Sequence, residues 1–325
     1  MAASRTPKPR PEPQPWPSLH EVPSGPFAVA FSGGADSTAL LQACLSLGPE
    51  RVHAIHVNHG LQAAAADFEW HARTLCQRWG VPLAVCRVQA QAAPGQSPEE
   101  AARSARYHAL AHAALHHWAY PVPTVLLAQH ADDQAESVLL AWSRGAGLSG
   151  LAAMPSQISR QGVRFVRPWL DASAAELRAT LRALGTPWIE DPSNQSSAYT
   201  RNRIRHQVLP VLESSLPGSR TTLVRTARHA SQAMQLLAEL ADIDALAVGL
   251  PPRIADLRLL PEHRQANLLR HWLASLGTQA QASQMAELLR QLRACQTRGH
   301  RIELRVGAGQ VRRQGEHLAW LQSRV

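Results

Sequence analysis

Ser32-Gly33-Gly34-Ala35-Asp36-Ser37 is the stretch of this chain best suited to chemistry. It follows the apolar run Phe27–Phe31 and leads into a helical pattern over Thr38–Leu47. Gly33 and Gly34 let a backbone approach a bound group closely. The free N–H groups and dipole of a helix start favour an anion. Ser32, Ser37 and Thr38 add hydroxyl donors, so the ligand expected here is a phosphate. The loop lacks the lysine of a G-x-x-x-x-G-K-[ST] phosphate loop and carries Asp36 instead. A carboxylate beside phosphates is repulsive unless a cation lies between them, so Asp36 argues for Mg²⁺.

Two other stretches carry candidate chemistry. In Gln129-His130-Ala131-Asp132-Asp133, either acid can complete a magnesium site if the fold brings it beside Asp36. Asp133 and Glu136 share a helix face. In Thr200-Arg201-Asn202-Arg203-Ile204-Arg205, a helix places Arg201 and Arg205 on one side, suited to phosphates, and Arg203 on nearly the opposite one. Arginine at a helix start opposes the dipole, which points to a functional purpose. The chain holds a single lysine, Lys8, so arginine, backbone N–H groups and metal must meet any phosphate charge. Cys44, Cys76, Cys86 and Cys295 form no C-x-x-C pair and the histidines no H-E-x-x-H pattern, so zinc and cysteine-held clusters are not expected.

These stretches need elements that bring them together. Strand patterns at Phe27–Phe31, Arg51–Val57, Pro82–Val88, Thr124–Gln129 and Val163–Trp169 alternate with helical ones. This predicts an α/β fold with a doubly wound parallel sheet. Ligands bind beyond the carboxyl ends of such strands, which gathers Ser32–Ser37, Asn58–Gly60 and Gln129–Asp133. Residues 1–23, with alternating prolines, are expected to be a disordered tail. Residues 24–217 form the expected catalytic domain. Residues 218–325, after Pro217-Gly218, form a second, mostly helical domain ending in a small β-meander. Arg144–Leu151 reads as a flexible glycine-rich stretch. A net charge of +9 suggests a polyanionic partner. No run of 18 apolar residues is present, and the chain is expected in the cytoplasm with reduced thiols.

In order along the chain stand SGGADS, HVNHGL (His56–Leu61), EEAARSARY (Glu99–Tyr107), AQHADDQAES (Ala128–Ser137), RGAGLSGLAAM (Arg144–Met154), WIEDPSN (Trp188–Asn194) and TRNRIRHQVLP (Thr200–Pro210). Together they resemble the tRNA(Ile)-lysidine synthetases, members of the PP-loop ATP pyrophosphatases. Leu259–Leu273 resembles their helical tRNA-binding domain. The resemblance implies a C–N bond-forming ligase. ATP adenylates the C2 oxygen of cytidine 34 in the CAU anticodon of tRNA(Ile), and L-lysine then displaces AMP. It also implies that Ser32, Gly33, Gly34, Ala35, Asp36 and Ser37, with His59 nearby, bind ATP. Asp36 and Asp133 hold Mg²⁺, and Arg201 or Arg205 stabilises the α-phosphate. Glu100, Arg103, Arg106 and Tyr107 line the approach for lysine or the base. Asp133, Glu136 or water takes the proton from lysine. Many members have a histidine at the position of Gln129, which can donate a hydrogen bond but carries no charge. A tRNA thiolase, a small-molecule synthetase and a non-catalytic RNA-binding protein are the competing readings, and the oligomeric state is open between monomer and homodimer.

Overall fold

The computed structural model describes residues 16–58, 65–88, 98–191, 194, 196–197, 199–297 and 299–322. Chain contacts divide it into two compact units, Met1–Arg228 and His229–Val325.

The first unit is built on a sheet. In chain order it contains β1 (Phe27–Ala30), α1 (Ala35–Leu45), β2 (Val52–Asn58), α2 (Ala65–Trp79), β3 (Leu83–Arg87), α3 (Pro98–His116), β4 (Thr124–Leu126) and α4 (Ala131–Ser143). Then come α5 (Leu148–Leu151), β5 (Gln157–Arg160), β6 (Val163–Val166), α6 (Ala174–Ala183) and α7 (Thr200–Arg203). A π-helical turn (Ile204–Val208) runs on into α8 (Leu209–Ser215).

The strand order is β3-β2-β1-β4-β6-β5. The first five strands are parallel, and β5 pairs antiparallel to β6 at the edge. Phe27, Val29 and Phe31 face one side with Leu40, Leu41, Leu177 and Leu181. Ala28 faces the other with Ile55, Val125 and Phe165, against Leu110 and Ala114 of α3. Both faces are covered, so β1 is an almost unbroken apolar run, as a central parallel strand requires. The chain winds outward from β1 through β2 to β3, then returns to β4 on the other side of β1. The switch point therefore lies between β1 and β4, and a crevice opens at the carboxyl ends there.

Two expectations are corrected in this unit, and one strand is added. Residues 16–23 are docked rather than a free tail. Trp16 is buried against Trp169, with ring centroids 6.0 Å apart. Trp169 Nε1 donates to the Pro17 carbonyl (3.2 Å), and the His20 N–H to that of Pro168 (3.3 Å). Aromatic burial and main-chain pairing offset the entropy lost in fixing the segment. Residues 1–15 lie outside the described part. The Gly-rich stretch is closed by α5, and there a Cβ on Gly150 would stand 2.5 Å from Ala146 Cβ, so only glycine fits. Finally, β5 was not anticipated. Its residues are mostly exposed, so no hydrophobic pattern marks it.

The division between units falls inside α9 (Ser219–Val248). The second unit continues with α10 (Ile254–Leu257), α11 (Glu262–Ser275) and α12 (Ala282–Ala294). The expected meander closes it as β7 (Glu303–Val306), β8 (Gly309–Gln314) and β9 (His317–Gln322), all antiparallel. Leu268, Leu269, Trp272, Leu273, Leu288 and Leu292 fill its core. Many of its arginines are already paired with acids: Arg253 with Glu316, Arg264 with Asp244, Arg290 with Glu287 and Arg293 with Glu262. Among the described residues, no helix is long and apolar enough to cross a membrane.

Candidate active site

A cavity of about 590 Å³ lies at the carboxyl ends of β1, β2 and β4. Ser32, Gly34, Ala35, Asp36 and Ser37 line it from the loop between β1 and α1. Internal bonds hold that loop open: Ser32 Oγ meets Ser37 Oγ at 2.9 Å, and Ser37 Oγ donates to the Gly34 carbonyl at 3.1 Å. Gly33 does not line the cavity. It turns the chain at φ +87°, and a Cβ there would come to 3.3 Å from His71. The N-terminus of α1 behind the loop supplies N–H groups and a positive dipole end. Ile55, Val57, Phe68, Ala102 and Leu110 make an apolar wall on the side of β2 and α3.

The acids converge on one histidine. His130, at the N-terminus of α4, is 3% exposed, and its Nε2 stands 3.5 Å from both Asp36 Oδ2 and Asp133 Oδ2. Burial opposes a charge on this ring. The carboxylates of Asp133, Asp36 and Asp132 outweigh it and raise the imidazole to about 9. Burial likewise works against the charge on Asp36, yet His130, with Arg178 and Arg205, holds its carboxyl below the usual range. Of the adjacent acids, Asp133 enters the cavity and Asp132 turns away. Asp132 accepts from the Ala174 N–H at the start of α6 (2.9 Å) and is ion-paired with Arg220.

Arg205 reaches the cavity from the π-helical turn. Its Nε donates to Glu136 Oε1 (2.5 Å), and its Nη2 to Glu136 Oε2 (3.1 Å) and Asp133 Oδ1 (3.0 Å). Glu136 is completely buried and does not line the cavity, so its geometry is that of a clamp on Arg205 rather than of a group meeting substrate. Burial pushes its carboxyl up, and Arg205 pulls against that. Arg201 is also outside the lining; its Nη2 donates to Ser137 Oγ (3.3 Å). The π-turn makes the helix pitch irregular in this segment, so simple helical spacing does not place the arginines together.

Of the four residues expected at the approach, only Arg106 lines the cavity. Glu100 and Arg103 are exposed on α3 outside it. Tyr107 is core: its ring meets Phe165 edge-on at 4.8 Å, and Arg160 and Arg103 stand 4.8 and 5.7 Å from its centroid. No face is left for a base. Position 107 shares the inward side of α3 with Leu110, Ala111 and Ala114, which explains its burial. His59 lies outside the described residues.

Several lining residues were not singled out from the sequence. Arg178 of α6 is brought in by tertiary packing alone, and its Nε is buried with no hydrogen-bond partner in the described part. Glu190 and Asp191 stand in a segment read only as a turn. His130 does not line the cavity, but its place two residues before the acid pair at a helix start is a local signal.

A magnesium ion fits these residues. Asp36 Oδ1 is buried without a hydrogen-bond partner in the described part, and Asp36 and Asp133 present hard oxygen donors from neighbouring strand ends. Among the described residues no group of three or more His, Cys, Asp and Glu could hold a metal, so an all-protein cage is not formed. One or two carboxylates completed by phosphate oxygens and water are what Mg²⁺ ordinarily takes.

Residues 17–212 match the model of the PP-loop domain, and residues 253–319 that of the TilS substrate binding domain. The tRNA(Ile)-lysidine synthase of Polaromonas naphthalenivorans is 49% identical over 305 residues, covering 94% of this chain and 91% of that protein. That of Bordetella parapertussis is 41% identical over 310 residues, covering 90% and 88%. The Pseudomonas fluorescens protein of the same name is longer: it is 42% identical over 262 residues, 76% of this chain and 58% of that one. Among solved structures, a U34-tRNA thiolase from Methanococcus maripaludis superposes with a TM-score of 0.54 at 18% identity, covering 63% of this chain and 71% of that one. At that identity the likeness concerns the fold.

Proposed function

Because the chain belongs to the tRNA(Ile)-lysidine synthase family, we propose that it joins L-lysine to C2 of cytidine 34 in a tRNA(Ile) with a CAU anticodon, using ATP. In the first step the C2 oxygen attacks the α-phosphate, and pyrophosphate leaves. In the second an amino group of lysine attacks C2, AMP leaves with the C2 oxygen, and one proton is released. With these substrates the enzyme is placed in the cytoplasm.

The observation that supports this best is the meeting of the Ser32–Ser37 loop, Asp36, Asp133 and Arg205 in one cavity. The loop hydroxyls and N–H groups suit the β- and γ-phosphates. Arg205, fixed by Glu136 and Asp133, is a preorganised cation for charge that develops on the α-phosphate. Mg²⁺ bound by Asp36 and Asp133 would neutralise the phosphates and assist the departure of pyrophosphate. The apolar wall of Ile55, Val57 and Leu110 suits the adenine ring. Of the two acids considered for the lysine proton, Asp133 is the one that lines the cavity. The second unit, with Arg270, Arg301 and Arg305 exposed, offers charge for an RNA backbone.

Pyrophosphate release from ATP tests the reading, measured with and without the tRNA and with each amino acid in turn. Release that needs the tRNA supports it. Release driven by a small molecule without tRNA would replace it with a small-molecule synthetase.

A further inference from the structure

Gln129 lines the cavity, and its amide is gripped from behind by a buried guanidinium. Arg167 is 2% exposed. Its Nε donates to Gln129 Oε1, its Nη1 to the Pro155 carbonyl (2.7 Å) and its Nη2 to the Tyr107 hydroxyl (3.1 Å). Guanidinium has donors and no acceptor, so the amide atom facing it must be the oxygen. The amide polarity is therefore fixed by chemistry. The Nε2 group is left on the other branch, and no described residue accepts its hydrogen bonds.

Among the described residues, no carboxylate pairs with Arg167; three neutral oxygens hold it. Arg103 and Arg160 flank the same Tyr107 ring and add two more positive charges. A buried cation without a counter-ion is costly. An anion seated in the cavity beside Gln129 would offset that cost.

We propose that Gln129 Nε2 donates a hydrogen bond to a phosphoryl oxygen of the nucleotide, and that Arg167 is the positioning residue that sets this polarity. The proposal rests on the reading that the cavity binds ATP. It gives Gln129 a binding role that needs no charge of its own.

Calorimetric titration of the full chain with MgATP and with adenosine tests it, alongside thermal melting. Gln129→Glu keeps an acceptor for Arg167 but has no donor for the ligand. Gln129→Met removes the donor without adding charge. Both should weaken MgATP binding by about tenfold, the worth of one hydrogen bond to a charged group, and leave adenosine binding unchanged. The melting temperature of the Glu variant should be equal to or above that of the parent. Arg167→Lys should weaken MgATP binding in the parent and add nothing in the Gln129→Glu background. Unchanged MgATP affinity in Gln129→Glu would overturn the proposal. So would a loss confined to the Glu variant, which would indicate charge repulsion, or a full additive loss with Arg167→Lys. Failure of the parent to bind MgATP would instead overturn the nucleotide reading, and this proposal with it.

Discussion

Replacing Arg205 with alanine should lower both stability and turnover, through separable contacts. Arg205 makes two hydrogen bonds to Glu136 and one to Asp133, and Glu136 is completely buried. Removing one partner of a buried ion pair typically costs about 3–5 kcal/mol. The Arg205 side chain is 35% exposed, so water screens part of the pair and about 2–3 kcal/mol is the better expectation. For a unit of this size, that lowers the melting temperature by about 4–12 °C. The catalytic loss has a different origin. Deleting one preorganised donor to transition-state charge typically costs about 10²–10³ in rate. Single-turnover transfer of AMP to tRNA, run well below the melting temperature, reads the second loss without the first. The decisive comparison adds Glu136→Gln to Arg205→Ala. A neutral amide at position 136 no longer needs a cation, so much of the melting temperature should return while the rate stays low. Recovery of the rate together with stability would make Arg205 a purely structural residue.

Three further outcomes are expected. Asp36→Asn preserves shape and hydrogen-bonding capacity but removes the charge proposed for Mg²⁺; the fold should persist and adenylation at limiting Mg²⁺ should nearly vanish, whereas turnover like the parent's would exclude a metal role. Trp16→Ala should destabilise the first unit by about 3 kcal/mol, the lower end for a buried aromatic because the residue lies near the chain end; an unchanged denaturation midpoint would mean that residues 16–23 contribute nothing to the fold. In metal-free protein, the raised pKa of His130, about 9 against about 6.5 when unfolded, contributes stability that is fully present below pH 6.5 and lost as pH rises through 9. Melting temperatures should therefore fall between those values, and His130→Gln should flatten the slope; an equal slope in the variant would show that other groups carry it.

Much of the catalytic unit was legible in the sequence because its signals are local. A strand, a glycine turn and a helix start announce the loop at Ser32–Ser37 without help from the rest of the chain. The alternation of strands and helices then dictates which ends meet, and Asp36 and Asp133 do face one cavity. What escaped depends on contacts between distant segments. Arg178 sits on an ordinary amphipathic helix, and only the packing of α6 turns it toward Asp36. Glu136 shares a helix face with Asp133, yet burial and Arg205 give it a different task. The resemblance puts Tyr107 on the approach for lysine or the base, but its spacing to Leu110 and Ala114 places it in the core. The prolines before Trp16 suggested a free tail, but one tryptophan against Trp169 suffices to dock the segment that follows them. In the second unit, ion pairs at Arg253, Arg264, Arg290 and Arg293 engage charge that composition alone made look available for RNA.

The proposed function links ATP cleavage in this cavity to a lysine–cytidine bond. Its most direct test is transfer of labelled lysine to purified tRNA(Ile) with a CAU anticodon, in the presence of MgATP. Label should be stably bound to the tRNA, with one AMP and one pyrophosphate formed per lysine joined, and none should be incorporated when cytidine 34 is replaced by uridine or when the enzyme carries Asp36→Asn. Incorporation that ignores nucleotide 34, or AMP formation with no lysine retained on the tRNA, would contradict it.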